Sequence, residues 1–213
     1  MSGAPGLMQA GGPALVLASG FTTRKALLDG AGLRFAVQAA AVDEAAIKAS
    51  AQAERIPAGD TALMLAQAKA QRVARRQPDA LVIGADQLLV CGEGAAARWF
   101  DKPPDLAAAR AQLLALCGRS HVLVTATVIW RGGEQLWQHL ETSQLTMREF
   151  SEPFLDAYLA LEGERVLGSV GGYRLEGPGV HLFSRITGEH SAILGLPLLP
   201  LLGFLRGHGV LRG

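Results

Sequence analysis

Apolar positions fall into short runs that alternate with helically spaced stripes in the first half of the chain, and into paired extended runs in its middle. Leu15 to Ala18 reads as a short strand. A polar turn then leads to a helix starting near Thr22 or Thr23, which is expected to bury Ala26, Leu27 and Leu28 before Gly30 to Gly32 end it. A second strand is expected over Arg34 to Ala39, followed by Val42, Asp43 and Glu44. Asp60 suits the N-cap of a long helix reaching Arg76, because Leu63, Ala66, Ala70 and Val73 recur at helical spacing and Pro78 stops it. The run Ala80 to Ala85 is continuously apolar, as in a central strand covered on both faces, and it ends on Asp86.

A glycine-containing turn at Gly92 to Gly94 separates Gln87 to Cys91 from Trp99 and Phe100, and the tripeptide Asp101, Lys102, Pro103 follows. Asp105 is placed to cap the next helix, whose Leu106, Leu113, Leu114 and Leu116 form the expected buried stripe, with Gly118 at its end. Val122 to Trp130 and Glu134 to Met147 read as a hairpin joined by Arg131, Gly132 and Gly133. Ser151 and Pro153 open another helix to Leu161, a glycine-rich stretch spans Gly168 to Gly179, and a short helix follows Pro197. Strands alternating with helices and then pairing as a hairpin predict an α/β class with a mixed sheet.

Composition narrows the picture. The chain has 213 residues, 49% of them hydrophobic, so it can bury a substantial core without disulfides or metals. With 20 basic and 19 acidic residues there is no overall field for duplex nucleic acid, and any cation that matters must be placed singly. Cys91 and Cys117 have no metal-ligand spacing, read as buried small hydrophobes, and suit a reducing cytoplasm. The first basic residue is Arg24, which argues against a signal peptide, and residues 1 to 12 read as a loose, flexible leader. The apolar stretch Ile193 to Leu205 is broken by Pro197 and Pro200 and is too short for a membrane helix, which leaves a soluble protein with no membrane partner.

Several polar residues stand alone where chemistry would need them. Strand, hydroxyl-rich turn and helix start over Ala14 to Leu28 present backbone N–H groups, Ser19, Thr22, Thr23, Arg24 and Lys25 in the order that suits a phosphate. Gly20 lets a ligand come close. Asp86 either caps the turn after its strand or carries a function that repays its desolvation. Glu44 and Asp43 are either a solvated pair or, with Asp86, carboxylates for Mg²⁺. Lys69 and Lys102 are isolated cations; Lys69 either snorkels to the surface or, with Arg24 and Lys102, completes a polyphosphate site. The five histidines show no metal spacing, and no Ser or Cys sits in a nucleophile motif. The stretch Gly171 to Gly179 matches neither a Walker loop nor a dinucleotide fingerprint.

The string LVLASGFTTRKALL resembles the opening LASxSPRRxxLL of the Maf family of nucleotide pyrophosphatases, and VDE, AQAKA, VIGADQ, DKP, GRSH, GGYRLEG and ILGLPL follow in that family's order. The resemblance runs from Leu15 to Leu205. It implies a Maf/ITPase-like α/β fold with a mixed twisted central sheet, flanking helices and a central cleft, here a single domain of two lobes over residues 13 to 213. It also implies a frequently dimeric enzyme that hydrolyses a nucleoside triphosphate to monophosphate and pyrophosphate with a divalent metal (Mg²⁺, or Mn²⁺ or Co²⁺). By position, Ser19 and Arg24 fall on the family's phosphate loop, Lys69 and Lys102 on its polyphosphate lysines, Glu44 on the acid ending VDE, and Asp86 on the proton acceptor. Glu44 and Asp86 are the implied metal ligands.

Departures concern the loop and the base. Phe21 and Thr22 replace the family's Ser-Pro pair, and Thr23 replaces its first Arg. The pyrimidine branch keeps Arg, Thr and Gln where this chain has Thr23, Gln87 and Glu176; Gln87 and Glu176 instead resemble the branch preferring 7-methyl-GTP. A carboxylate suits a guanine edge because it accepts from N1–H and the exocyclic amine. Two rival readings stay open: a nucleotide-binding regulatory protein of the same fold with weak or lost turnover, and an RNA-binding or cell-division scaffold. The second would need a basic or aromatic surface, which 6% aromatics and near-zero charge do not provide.

Overall fold

β1 (Leu15–Leu17) is buried along its whole length and is the pivot of the first half of the chain. From it the chain runs through α1 (Thr22–Gly30) to β2 (Ala36–Val37), then through α2 (Glu44–Ala53) and α3 (Ala58–Ala74) to β3 (Leu81–Cys91). β2 and β3 both pair with β1 in parallel, Val16 standing opposite Ala36 on one side and Val82 on the other. The computed structural model describes residues 8–213. Beyond β3 come β4 (Arg98–Phe100), α4 (Leu106–Leu116), β5 (Ser120–Arg131), β6 (Glu134–Met147), α5 (Glu152–Glu162), β7 (Phe183–Thr187), α6 (His190–Ile193) and α7 (Leu198–Gly207). The sheet has seven strands in the order β2-β1-β3-β5-β6-β7, with β4 antiparallel to β3 and β7 antiparallel to β6. It is a mixed central sheet with flanking helices, as the alternation of patterns predicts. Among the described residues no helix is long and apolar enough to cross a membrane.

Local chemistry explains most boundaries. Asp105 does cap α4, accepting from the Ala108 N–H at 2.7 Å, and Ser151 caps α5 through the Phe154 N–H at 3.4 Å. β5 and β6 are joined through Gly132, at φ +59°, where a residue with a Cβ would be strained.

Other expectations are corrected. Asp86 does not end a strand; β3 continues through it to Cys91, and Gln87 to Cys91 belong to the same strand. Asp60 lies in the first turn of α3, which starts after Pro57. The segment from Glu44 forms α2, capped by Asp43 accepting from the Ala46 N–H at 3.0 Å, although it carries no apolar stripe and buries only Ala51. The inward side of α1 is Arg24 and Leu28, one helical turn apart, while Ala26 is exposed. On α4, Leu106 and Leu114 are exposed and Ala109, Leu113 and Leu116 are buried. Of the stretch read as a leader, residues 1–7 lie outside the described residues. Beyond them Gln9 bridges Leu211, and its side chain exchanges hydrogen bonds with the Arg34 backbone at 2.9 and 3.1 Å.

The chain divides into two compact units. The first comprises residues up to Asp86 with Thr125–Glu141 and Gly195–Gly213; the second comprises Gln87–Val124 and Thr142–Leu194. In the first unit Leu15, Leu17, Leu28, Leu81, Ile83, Ile129, Leu201 and Leu205 form the core. Each such side chain, fully buried, contributes about 1.5–3 kcal/mol, which is what offsets the buried charges described below. α3 lies against β3 closely enough that a Cβ at Gly84 would stand 2.3 Å from the Ala66 carbonyl oxygen and 2.7 Å from Ala70 Cβ.

The second unit has a core of Leu89, Leu113, Leu116, Leu123, Leu145, Leu155 and Tyr173, and it also buries a histidine, His121. His121 Nε2 meets the Tyr173 hydroxyl at 2.8 Å, and Phe183 lies edge-on to Tyr173 with centroids 4.9 Å apart. Burial lowers the His121 imidazole to about 4.

Two measurements check these packing statements. Gly84→Ala should destabilise the protein by about 1–3 kcal/mol in urea unfolding, because backbone rather than a flexible side chain meets the new methyl group. As pH falls below 6.5 the unfolded chain protonates at position 121 first, so stability present at neutral pH is lost progressively down to about 4. His121→Gln keeps a partner for the Tyr173 hydroxyl but does not titrate. Unfolding at pH 7 and pH 4 should show a pH-dependent loss smaller than wild type by on the order of 3 kcal/mol.

Candidate active site

From β1 the chain goes first to the neighbour on one side and later to the neighbour on the other, so β1 is the point where the parallel strand order reverses. In open α/β sheets, ligands bind outside the carboxyl ends of strands at such a point. Ser19 lies just past the end of β1 and is buried. Its Oγ accepts from the Phe21 N–H at 3.2 Å and from Arg24 Nη1 at 3.1 Å. With both acceptor positions used, the hydroxyl proton is left to donate outward.

Arg24 sits in the first turn of α1 and is itself buried. Its Nε donates to the Gly195 carbonyl at 2.8 Å, and its guanidinium lies 5.5 Å from the Phe21 ring centroid. Phe21, which stands where the resemblance places a serine, therefore covers the arginine. Burial draws the Arg24 guanidinium below its ordinary value, while the charges of Asp86 and Glu44 act in the opposite direction. Gly195 is required twice: φ is +95°, and a Cβ would stand 3.3 Å from Arg24 Nε.

The close approach of α3 to β3 carries Lys69 to Asp86. Lys69 Nζ donates to Asp86 Oδ1 and lies 2.8 Å from Glu44 Oε1, at the start of α2. Lys69 does not snorkel to solvent; its side chain is 9% exposed and that of Asp86 6%, against 43% for Glu44. A buried carboxylate is tolerable here because the ammonium is with it. Asp86 Oδ2 is buried without a hydrogen-bond partner. That oxygen and the Glu44 carboxylate are hard donors suited to a cation that takes one or two carboxylates and completes its shell with substrate phosphate oxygens and water. Among the described residues no cluster of three or more His, Cys, Asp or Glu could enclose a metal by itself.

Thus Ser19, Arg24, Glu44, Lys69 and Asp86, predicted from separate parts of the chain, meet in the first unit. Thr23 is on the first turn of α1 and half-buried. The remaining predicted residues belong to the second unit. Gln87 Nε2 donates to the carbonyls of Ala192 and Ile193 at 3.0 and 3.1 Å, which turns the amide so that its oxygen faces away from that backbone. Lys102 is exposed on the segment between β4 and α4. Glu176 lies in the loop preceding β7 and accepts from Arg174 Nε at 3.3 Å. Sequence reasoning missed Gly195 as the anchor of Arg24, and it missed Glu162, whose carboxylate accepts from Arg174. Only the glycine in ILGLPL carried any local signal.

This chain belongs to the Maf-like protein family, whose profile matches residues 14–208. It is 57% identical to a nucleoside triphosphate pyrophosphatase of Granulibacter bethesdensis over 92% of this chain and 98% of the relative. It is 52% identical to a nucleoside triphosphate pyrophosphatase of Paramagnetospirillum magneticum, with 92% and 99% covered. A 7-methyl-GTP pyrophosphatase of Rhizobium meliloti is 47% identical, with 93% and 98% covered.

The pairing predicts a non-additive energetic cycle. Lys69→Met leaves Asp86 charged and unpaired and should destabilise the protein by about 3–5 kcal/mol. Adding Asp86→Asn should recover much of that loss, read from denaturant unfolding of the single and double variants.

Proposed function

We propose that the protein is a nucleoside triphosphate pyrophosphatase, cleaving the α–β phosphoanhydride to release nucleoside monophosphate and pyrophosphate. The observation that carries this reading is the meeting of Asp86, Lys69, Glu44, Arg24 and Ser19 in the first unit, with Ser19 just past the carboxyl end of β1 and Asp86 in the middle of β3. The names of relatives covering more than nine-tenths of the chain agree with it.

The roles follow from the contacts. Asp86 Oδ1 is engaged by Lys69, which leaves buried Oδ2 to orient a water and take its proton as that water attacks phosphorus. Arg24 and the outward hydroxyl of Ser19 bind phosphate oxygens, and Lys69 and Lys102 neutralise the triphosphate and the departing pyrophosphate. Fixed dipoles and charges act on the developing negative charge without reorganising, which is why a buried cluster is worth more than an exposed one. Glu44 and Asp86 would hold a divalent cation, Mg²⁺ or else Mn²⁺ or Co²⁺, with help from triphosphate oxygens, and it would supply further charge neutralisation. Gln87 and Glu176 favour a guanine edge, methylated or not, by presenting acceptors to its N–H groups, and Thr23 is a third selector of the base.

Pyrophosphate release is the test. Wild-type protein with Mg²⁺ should liberate pyrophosphate from a nucleoside triphosphate, and chelation by EDTA should stop it. Asp86→Asn should lower kcat by about 10²–10⁴ while the far-ultraviolet dichroism is retained. Nucleotide binding without pyrophosphate from any ordinary or methylated triphosphate would instead establish the non-hydrolytic reading.

A further inference from the structure

Glu162 is the last residue of α5, and its side chain is 1% exposed. A carboxylate that far from water needs a cation beside it, and Arg174 supplies one, Nη1 donating to Oε2 at 2.9 Å. The other edge of the same guanidinium, through Nε, donates to Glu176 Oε1 at 3.3 Å. The Arg174 backbone N–H donates to the Tyr158 hydroxyl at 3.3 Å, and the preceding Tyr173 is tied by its own hydroxyl to His121. Burial acts to lower the Arg174 guanidinium, but hydrogen bonding to Glu162 and the charge of Glu176 outweigh it and hold the group above its ordinary value.

The backbone closes on this clamp. A Cβ at Gly177 would stand 3.1 Å from Glu162 Oε1, and one at Gly179 would stand 2.3 Å from the Arg174 carbonyl oxygen. A planar guanidinium held along one edge has its other edge fixed as well, which a lysine's single charge cannot reproduce. Glu176 and Arg174 are each 25% exposed against 1% for Glu162, so the chain of contacts runs from a buried carboxylate to one that reaches solvent.

We propose that Arg174 is a positioning residue for base selection: locked onto buried Glu162, it fixes the Glu176 carboxylate and thereby sets which base edge the protein accepts. This rests on the reading that Glu176 meets the base. An unfixed glutamate would have to be ordered each time a nucleotide binds, and that cost falls on affinity.

The experiment compares kcat and KM for GTP, 7-methyl-GTP and UTP, and calorimetric Kd for the α,β-methylene analogues of GTP and UTP, across five proteins. These are wild type, Glu176→Gln, Arg174→Lys, the double variant Glu162→Gln with Arg174→Gln, which leaves no buried charge unpaired, and that double variant with Glu176→Gln added. The double variant should lose about tenfold in the guanine-to-uracil ratio of kcat/KM, with the loss in KM rather than kcat. Arg174→Lys should fall between, and adding Glu176→Gln to the double variant should cost nothing more. If Glu176→Gln changes the ratio and the double variant does not, Arg174 has no part in selection and the reading of Glu176 stands. If Glu176→Gln leaves the ratio at the wild-type value, or that value is near one in both kcat/KM and Kd, the reading of Glu176 fails and this proposal with it. Should the double variant not fold, Arg174→Lys decides by the same ratio.

Discussion

One ammonium group shared between two carboxylates is the constraint on which the first unit depends. Lys69 reaches both Asp86 and Glu44 from the middle of α3. Neither Lys69 nor Asp86 could be buried alone, since an isolated charge in a low-dielectric interior costs several kcal/mol after relaxation. The pair therefore ties the packing of α3 to the middle of β3, and the small residues Gly84, Ala66 and Ala70 let the helix come close enough for the contact. Core burial around Leu17, Ile83 and Leu28 carries the energetic load that such a polar cluster imposes.

The loop after β1 rests on a similar coupling of local and distant groups. Ser19 and Phe21 follow one another in the turn after β1, and their hydrogen bond is local. Arg24 is held by Ser19 on one side and by the Gly195 carbonyl on the other, so the loop is set by a segment far along the chain. Phe21 over the guanidinium gives a physical account of one departure from the family pattern: an aromatic face shields the buried cation where the family's hydroxyl is lost.

Much of the architecture was legible because its signals are local. Asp105 and Ser151 act as N-caps, and the diglycine Gly132–Gly133 turns the hairpin, each through hydrogen bonds or backbone angles decided within a few residues. α2 was not legible, because its alanine-rich sequence buries one residue and leaves no stripe to read. The end of β3 was misplaced for the opposite reason. A carboxylate in an apolar run looks like a boundary when its partner, Lys69, lies on another element. Arg24 was singled out as a cation for a phosphate, but its burial was not legible, because the inward side of its helix was read as Ala26 to Leu28.

By itself the sequence determined the mixed α/β class, the strand, turn and helix that open with Leu15, and the identities of the isolated acids and cations, because these depend on periodicity, capping and residue type. Tertiary structure alone decided that Arg24, Lys69 and Asp86 are buried, that Lys69 joins Asp86 to Glu44, and that Glu176 is held through Arg174 to Glu162. Burial and charge pairing are sums over neighbours brought in from distant segments, and a linear pattern carries no term for a partner that arrives only on folding.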